Sequence, residues 1–324
     1  MSNFYGGLYE YNLQGKMLHN WSRGKAPEQI EDGGISMIAR RSDSTLWIST
    51  YGYGLYLLNT KTGIFTRIKH NKEDPASIIE NAVTSVYTDR SNNTWVGTSG
   101  GVCKLNSTNS IIRVWRSDIN NTSANETLLL NIEKGSDRNM YLTAFSLKKV
   151  TRINSANGQM SQLDESKMPY MWCSTNVGNE ILFTGSSTTI TFYDPVRNTY
   201  RQSDFLKKYF PVSEIVILAF KHSNGDLWYS GNNGGGFVRV DARDGSIHSY
   251  KKDGPRGKFK ISYYACYAED KNGDLWFGVN KSETLVHWIL KEDRFEEFNL
   301  FKLPGMSGLT MTGINELIMD GHDN

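Results

Sequence analysis

An apolar residue followed 12 positions later by an aromatic one recurs six times along this chain, and that spacing restricts what it can fold into. The pairs are Ile35 and Trp47, Val83 and Trp95, Leu129 and Tyr141, Met171 and Phe183, Val216 and Trp228, and Tyr264 and Trp276. The aromatic members recur with a period of roughly 40–50 residues. A repeat of this length is one supersecondary unit that cannot bury its apolar face alone, so neighbouring copies must pack together.

Each unit reads as four strands. The first is an apolar run before a polar turn, as in Tyr264-Ala-Cys-Tyr-Ala followed by Asp270-Lys-Asn-Gly-Asp274. The second carries the aromatic, and a Gly-rich turn follows, such as Thr98-Ser-Gly-Gly101. The third ends in Asn or Asp at Asn12, Asn59, Asn106, Asn154, Asp194 and Asp241, whose side chains can bond the backbone two residues on. A short fourth strand closes the unit, for example Ile247-His-Ser-Tyr250. Four strands in about 40–50 residues is the size of a propeller blade. The ends of the chain carry matching fragments. Gly7-Leu8 through Asn12 repeats Gly54-Leu55 through Asn59, and Ile314 to Asp320 repeats a first strand and its turn. The expectation is therefore an all-β, seven-bladed β-propeller of four-stranded antiparallel blades, spanning 1–324 as one domain. Strands from both termini would close it, with 1–34 and 309–324 sharing a blade and Tyr5–Trp21 pairing with Gly313–Asp320.

Composition fits many short strands: aromatics make up 12% of the chain, Gly numbers 30 and Pro only 7. The 36 basic and 34 acidic residues leave a net charge of +2, which argues against a nucleic-acid partner. The cluster Lys251, Lys252, Arg256, Lys258 and Lys260 reads as a solvated loop. Cys103, Cys173 and Cys266 match no zinc spacing and cannot make a disulfide framework. Cys173 and Cys266 occupy equivalent places two blades apart and should not meet. No apolar run is long enough to span a bilayer, so no membrane contact is expected. Met1-Ser-Asn-Phe-Tyr-Gly-Gly has no signal-peptide character, and both ends cut the repeat at one position, so the chain is expected to be a piece of a longer protein.

The units resemble the repeats of bacterial two-component regulator propellers. Trp47-Ile-Ser-Thr50 with Gly54-Leu55, Trp95-Val-Gly-Thr98 with Gly100-Gly101-Val102, and Asp270-Lys-Asn-Gly-Asp-Leu-Trp276-Phe-Gly278 carry the resemblance. The units centred on Tyr141 and Phe183 depart from it, lacking both the tryptophan and the Thr-x-x-Gly turn. What the resemblance implies is a periplasmic sensor region of a hybrid histidine kinase, as in gut Bacteroidetes. Such regions usually hold two propellers and a small β-sandwich before the membrane helix, often act as dimers, and respond to oligosaccharides.

Structural and functional roles separate by position. The second-strand aromatics Trp47, Trp95, Tyr141, Phe183, Trp228 and Trp276 should fill the wedges between blades. Ligands of propellers usually bind where the loops into the first strand meet the turns between strands two and three. There the side chains suited to an oligosaccharide are Tyr51, Tyr53, Trp172, Asn232, Asn233 and Lys281, because sugars are held by aromatic faces and planar hydrogen-bonding groups. No residue is assigned a catalytic role. Repeated acids such as Asp89 and Asp270 sit where a turn needs Asx, and His19, His70, His222, His248, His287 and His322 are scattered through the repeat. No motif calls for a metal or cofactor, since Gly231–Gly236 precedes a strand and not a helix. A sensor propeller is thus the leading reading, with a propeller lyase or glycosidase and an interaction scaffold as the other classes.

Overall fold

The computed structural model describes the chain apart from residues 1, 4–6, 14, 32–33, 75, 90–91, 107–110, 117–128, 146, 212–213, 233–235, 252–253, 257–258, 260–263, 280–281, 303–312, 315 and 320–324. The described secondary structure is β-strand with three short 3-10 turns. No described helix is long and apolar enough to cross a membrane.

The chain divides into two compact units. Unit 1 comprises residues 1–128, 265–288 and 297–324; unit 2 comprises 129–264 and 289–296.

Unit 1 begins with a three-stranded sheet of β1 (Ser2–Asn3), β2 (Gly7–Tyr11) and β3 (Met17–Trp21). Two four-stranded antiparallel blades follow. One holds β4 (Ile35–Ser42), β5 (Thr45–Thr50), β6 (Leu55–Asn59) and β7 (Phe65–Ile68); the other holds β8 (Val83–Thr88), β9 (Thr94–Thr98), β10 (Gly101–Leu105) and β11 (Ile111–Arg116). Unit 2 carries three blades: β12 (Leu129–Lys134) to β15 (Met160–Gln162) by way of β13 (Met140–Ala144) and β14 (Val150–Ile153); β16 (Met171–Val177), β17 (Glu180–Gly185), β18 (Ile190–Asp194) and β19 (Thr199–Ser203); and β20 (Val216–Lys221), β21 (Leu227–Gly231), β22 (Phe237–Val240) and β23 (Ile247–Tyr250). A sixth blade holds β24 (Tyr264–Glu269), β25 (Leu275–Val279), β26 (Thr284–Ile289) and β27 (Arg294–Asn299).

Each first strand begins at the apolar residue that opens the repeated spacing, and each second strand contains the aromatic. The third-strand ends are Asx turns: Asn59 accepts from the backbone N–H of Lys61 at 3.0 Å, Asn154 from Ala156 at 2.9 Å and Asp194 from Val196 at 2.9 Å. Asp89 and Asp270 serve the turn before the second strand in a related way. Asp270 accepts from the N–H groups of Asn272 (2.9 Å) and Asp274 (3.0 Å) and from the Trp276 indole (3.3 Å). Asp89 does the same for Asn93 and Trp95.

The count of blades corrects the sequence-based expectation of seven: among the described residues six blades are four-stranded and one sheet has three strands. A complete four-stranded closing blade from both termini is not seen among the described residues. Its third and fourth strands are present as β2 and β3, but the strand paired beside β2 is β1, at the N-terminus. On the C-terminal side Gly313 and Glu316 make only single-residue bridges. Residues 4–6, 303–312, 315 and 320–324 lie outside the described residues, and the described part of 313–319 is held by side chains. Ile318 packs on the cluster containing Leu8 and Trp21, and Leu317 on Cys266, Leu300 and Ile314.

The core lies between neighbouring sheets. In unit 1 Trp47 packs with Ile78, Val83, Val86, Val96 and Leu105; in unit 2 Tyr141 packs with Met171, Ile181, Phe183 and Tyr193. Trp47, Tyr141, Phe183 and Trp228 are 0% exposed and Trp95 is 2% exposed, while Trp276 is half-buried. All three cysteines are free thiols.

Candidate functional site

In an antiparallel four-stranded blade, the turn between strands two and three leaves from the same end as the connection into strand one. Two such segments of unit 2 lie side by side: the turn after β13, holding Phe145, Leu147 and Lys148, and the segment ending in Tyr170 before β16. A backbone bond joins them: Met171 N–H donates to Leu147 O at 2.9 Å, while Ser186 N–H, in the turn after β17, donates to Tyr170 O at 3.0 Å.

A β-bulge then presents an indole at this end. The pairing of β16 with β17 shifts between Met171 and Cys173, so Trp172 is the extra residue. Equivalent shifts in β4, β8, β12 and β20 leave Ser36, Thr84, Leu130 and Ile217 as the bulged residues. Among these five, only β16 places an aromatic there. Bulges re-aim a side chain away from the regular pleat, and Trp172 meets Phe145 edge-to-face with ring centroids 4.8 Å apart. Beside them Tyr170 is 50% exposed, and the Lys148 ammonium lies 5.1 Å from its ring centroid. No carboxylate among the described residues forms an ion pair with Lys148. The cluster therefore offers apolar ring faces, one of them open to solvent, and a cation held close to that face.

Gly185 sets the depth of this surface. A Cβ there would come within 1.8 Å of Tyr170 O and 2.9 Å of Trp172 N, both backbone atoms that cannot swing aside. The Gly185→Ala variant is expected to lose about 1–3 kcal/mol of stability in unit 2 by overpacking and to shift the emission of Trp172. Urea unfolding and tryptophan fluorescence check both, and an unchanged spectrum would detach Gly185 from the site.

The other residues singled out in the sequence are placed differently. Tyr51 and Tyr53 lie in unit 1. Tyr51 is 44% exposed, and its hydroxyl is pushed up by burial and by the Glu316 carboxylate. Tyr53 is half-buried under the Arg67 guanidinium, 5.5 Å from its ring; Arg67 also donates to Tyr53 O at 2.7 Å and pairs with Glu31 at 2.5 Å. Tyr53 is thus a packing residue. Asn232 is tied to the segment that enters β20: its N–H donates to Ile215 O at 3.1 Å, and its Oδ1 accepts from Ile215 N at 3.2 Å. Asn233 and Lys281 lie outside the described residues. Sequence reasoning missed Phe145, Lys148 and Tyr170. Their one sequence signal is position, in the two loop types at the binding end, but their proximity depends on how adjacent blades pack.

Unit 2 also buries a carboxylate. Glu133 of β12 accepts from Asn131 Nδ2 at 3.0 Å, from Ser174 Oγ at 3.4 Å and from Asn176 Nδ2 at 2.5 Å. Burial pushes it up to about 7 against the lowering effect of the Ser174 and Asn176 bonds. Nearby, burial lifts the Cys173 thiol to about 12, which keeps it protonated and a weak nucleophile. In unit 1 the ligand atoms of Asp270, Asp274 and His287 lie within 4.8 Å of one another. Asp270 is already the acceptor for its turn and for Trp276, and His287 stacks on Trp276 at 3.9 Å, so this trio reads as the structural corner of a blade.

Comparisons with known proteins agree on architecture. No protein-family model matches the chain. The extracellular domain of a B. thetaiotaomicron protein assigned to the hybrid two-component systems superposes with a TM-score of 0.68 at 14% identity, over 100% of this chain and 50% of that one. A streptogramin B lyase gives 0.64 at 14% identity, over 91% and 90% of the two chains. The virginiamycin B lyase of Staphylococcus aureus gives 0.62 at 16%, over 82% and 84%. These likenesses establish the β-propeller fold with four-stranded antiparallel blades. In sequence, a 99-residue stretch is 24% identical to histidine kinase P4 of Formosa agariphila, covering 29% of this chain and 7% of that protein. The chain is thus similar in fold both to the extracellular domain of a two-component system protein and to propeller lyases.

Proposed function

We propose that this chain is a ligand-sensing propeller from the periplasmic part of a two-component sensor histidine kinase. Its ligand is an oligosaccharide, bound in unit 2 by Phe145, Lys148, Tyr170 and Trp172. The observation that carries this reading is the exposed Tyr170 ring with Lys148 over it, set beside an indole that a bulge turns out of the sheet. A sugar ring lays its C–H face on an aromatic face, and an ammonium takes a carboxylate or hydroxyl on the same residue. The likeness to an extracellular two-component domain and the stretch shared with a histidine kinase support the sensory role.

A catalytic role has weaker support. Glycoside hydrolysis needs two carboxylates across the scissile bond, and Asp89 and Asp270 hold turns. The histidines are likewise used in local structure: His70 Nδ1 lies 2.7 Å from Ile78 O, His222 is 1% exposed, and His248 contacts Ser246 and Arg256 at 3.1 Å.

A thermal-shift and calorimetric screen against neutral and acidic glycan fragments tests the proposal. A ligand at a hundred times its Kd stabilises the native state by about 2.7 kcal/mol, which is readily seen as a higher Tm. The shift should vanish in Tyr170→Ala and Trp172→Ala, and Lys148→Ala should lose mainly the acidic fragments. A shift that survives all three variants would place the ligand elsewhere. No shift with any fragment would remove the sugar-sensing role from this chain.

A further inference from the structure

The bulge that presents Trp172 is fixed from both sides. On one side Met171 N–H donates at 2.9 Å to Leu147 O, in the turn after β13. On the other, the Cys173 thiol meets a single residue of β20. Ala219 N–H donates to Cys173 Sγ at 3.2 Å, and the thiol donates to Ala219 O at 3.3 Å. Burial lifts this thiol to about 12, so it keeps its hydrogen and can donate and accept together. The indole therefore sits between an anchor in the blade before it and an anchor in the blade after it.

The Ala219 end explains why two weak sulfur bonds matter. β20 is the first strand of its blade and has a ladder partner, β21, on one side only. In an antiparallel ladder the N–H and C=O of one residue point the same way. At Ala219 both point to the open side, where Cys173 takes them. Ala219 is 3% exposed, and buried backbone groups need partners. Removing the thiol would strand a donor and an acceptor at one place.

The residue after the bulge reaches the first strand of the next blade in other pairs too. Met37 Sδ, after the bulged Ser36, accepts from Val86 N–H at 3.4 Å. Asn131 Nδ2, after the bulged Leu130, donates to Ser174 O at 3.0 Å. Val86, Ser174 and Ala219 each lie two residues past their own bulge. The contact is thus a property of the repeat that Met, Asn and Cys can each make. Of these three, only Cys173 follows an aromatic bulge residue.

We propose that Cys173 is a positioning residue of the ligand site: by clasping the Ala219 backbone it fixes the bulge, and with it the direction in which Trp172 projects beside Tyr170. A ring surface held in place beforehand loses less freedom when a ligand binds. The inference rests on the ligand reading of unit 2 for that consequence, but its geometry holds whatever the ligand.

Fluorine NMR of the whole chain labelled with 5-fluorotryptophan tests it with no ligand present. The eight tryptophans give eight resonances, and Trp172→Phe removes the one that belongs to Trp172. In Cys173→Ala that resonance should move or broaden while the others hold. Cys173→Asn, which copies the donor and acceptor of Asn131, should bring it back. Met37→Ala, which cuts the equivalent bond in unit 1, should leave it in place. The Ala219 amide should exchange slowly with solvent deuterium in the unaltered protein and at least about tenfold faster in Cys173→Ala. If Cys173→Ala fails to fold, Cys173→Val, which keeps the bulk without the bonds, takes its place in the same comparison.

A Trp172 resonance that ignores the loss of the thiol overturns the proposal, as does rapid exchange at Ala219 in the unaltered protein. So does a displacement that Cys173→Asn leaves uncorrected, or one shared by all the tryptophans, which would mark general loosening. An empty glycan screen would strike the ligand reading and leave the anchoring of Trp172 standing; an unmoved Trp172 resonance would do the reverse.

Discussion

Replacing Trp228 by alanine is expected to lower the stability of unit 2 by about 3–5 kcal/mol, the range for truncating a large buried ring. The side chain is 0% exposed and sits in a stack of aromatics. Tyr250 lies parallel to it at 5.6 Å and Phe220 at 6.3 Å, while Phe237 and Phe295 meet it edge-on at 6.1 and 6.5 Å. Those rings come from four different segments of unit 2, each fixed by its own backbone, so they cannot collapse into the space an indole leaves. A cavity term therefore adds to the lost transfer energy. Trp276→Ala is the internal control. Its ring is half-buried between His287 and Phe298, so the loss in unit 1 should be clearly smaller. Urea unfolding of both variants, followed by circular dichroism, measures the difference. A Trp228→Ala cost below that of Trp276→Ala would show that the wedge is not packed by the second-strand ring.

The second large effect is a loss of stability with rising pH, centred on Glu133. Its folded-state carboxyl holds a proton up to about 7, whereas the ordinary value is 4.5. Between those limits the folded state binds more protons than the unfolded chain, so unfolding releases protons and raising the pH favours it. The stabilising contribution is complete below about 4.5 and gone above about 7. At 1.36 kcal/mol for each decade of pH it amounts to roughly 3 kcal/mol. Glu133→Gln should flatten this slope in unit 2 and be the more stable form at pH 8, because it no longer buries an anion without a cationic partner. Glu316 in unit 1, raised to about 8 by burial, adds a dependence of the same sign that Glu133→Gln leaves in place. Urea midpoints at pH 5, 6.5 and 8 for both proteins decide the matter. Parallel slopes would show that Glu133 is ionised throughout.

Much of the blade was readable because its determinants are local. An apolar opening residue, a polar turn, an aromatic strand and an Asx turn all lie within a few residues of one another. Ile35, Val83, Leu129, Met171, Val216 and Tyr264 each begin a strand for that reason. The site was less readable. Trp172 stood out as an aromatic in a first strand, but its bulge is a property of pairing with β17. Lys148 and Tyr170 are well separated in sequence and meet only because two neighbouring blades put their loops together. Glu133 is an ordinary acid in the sequence, and its proton affinity is raised by burial, against the lowering effect of the bonds from Ser174 and Asn176 of β16.

Local spacing was enough to specify the repeat and the strand order within each blade. A period of roughly 40–50 residues with a fixed internal pattern admits few other arrangements. The number of complete blades among the described residues emerged from the folded molecule alone, because strand pairing between distant segments is not written in local spacing. The same is true of which aromatic faces solvent, since that depends on loops brought together from distant parts of the chain.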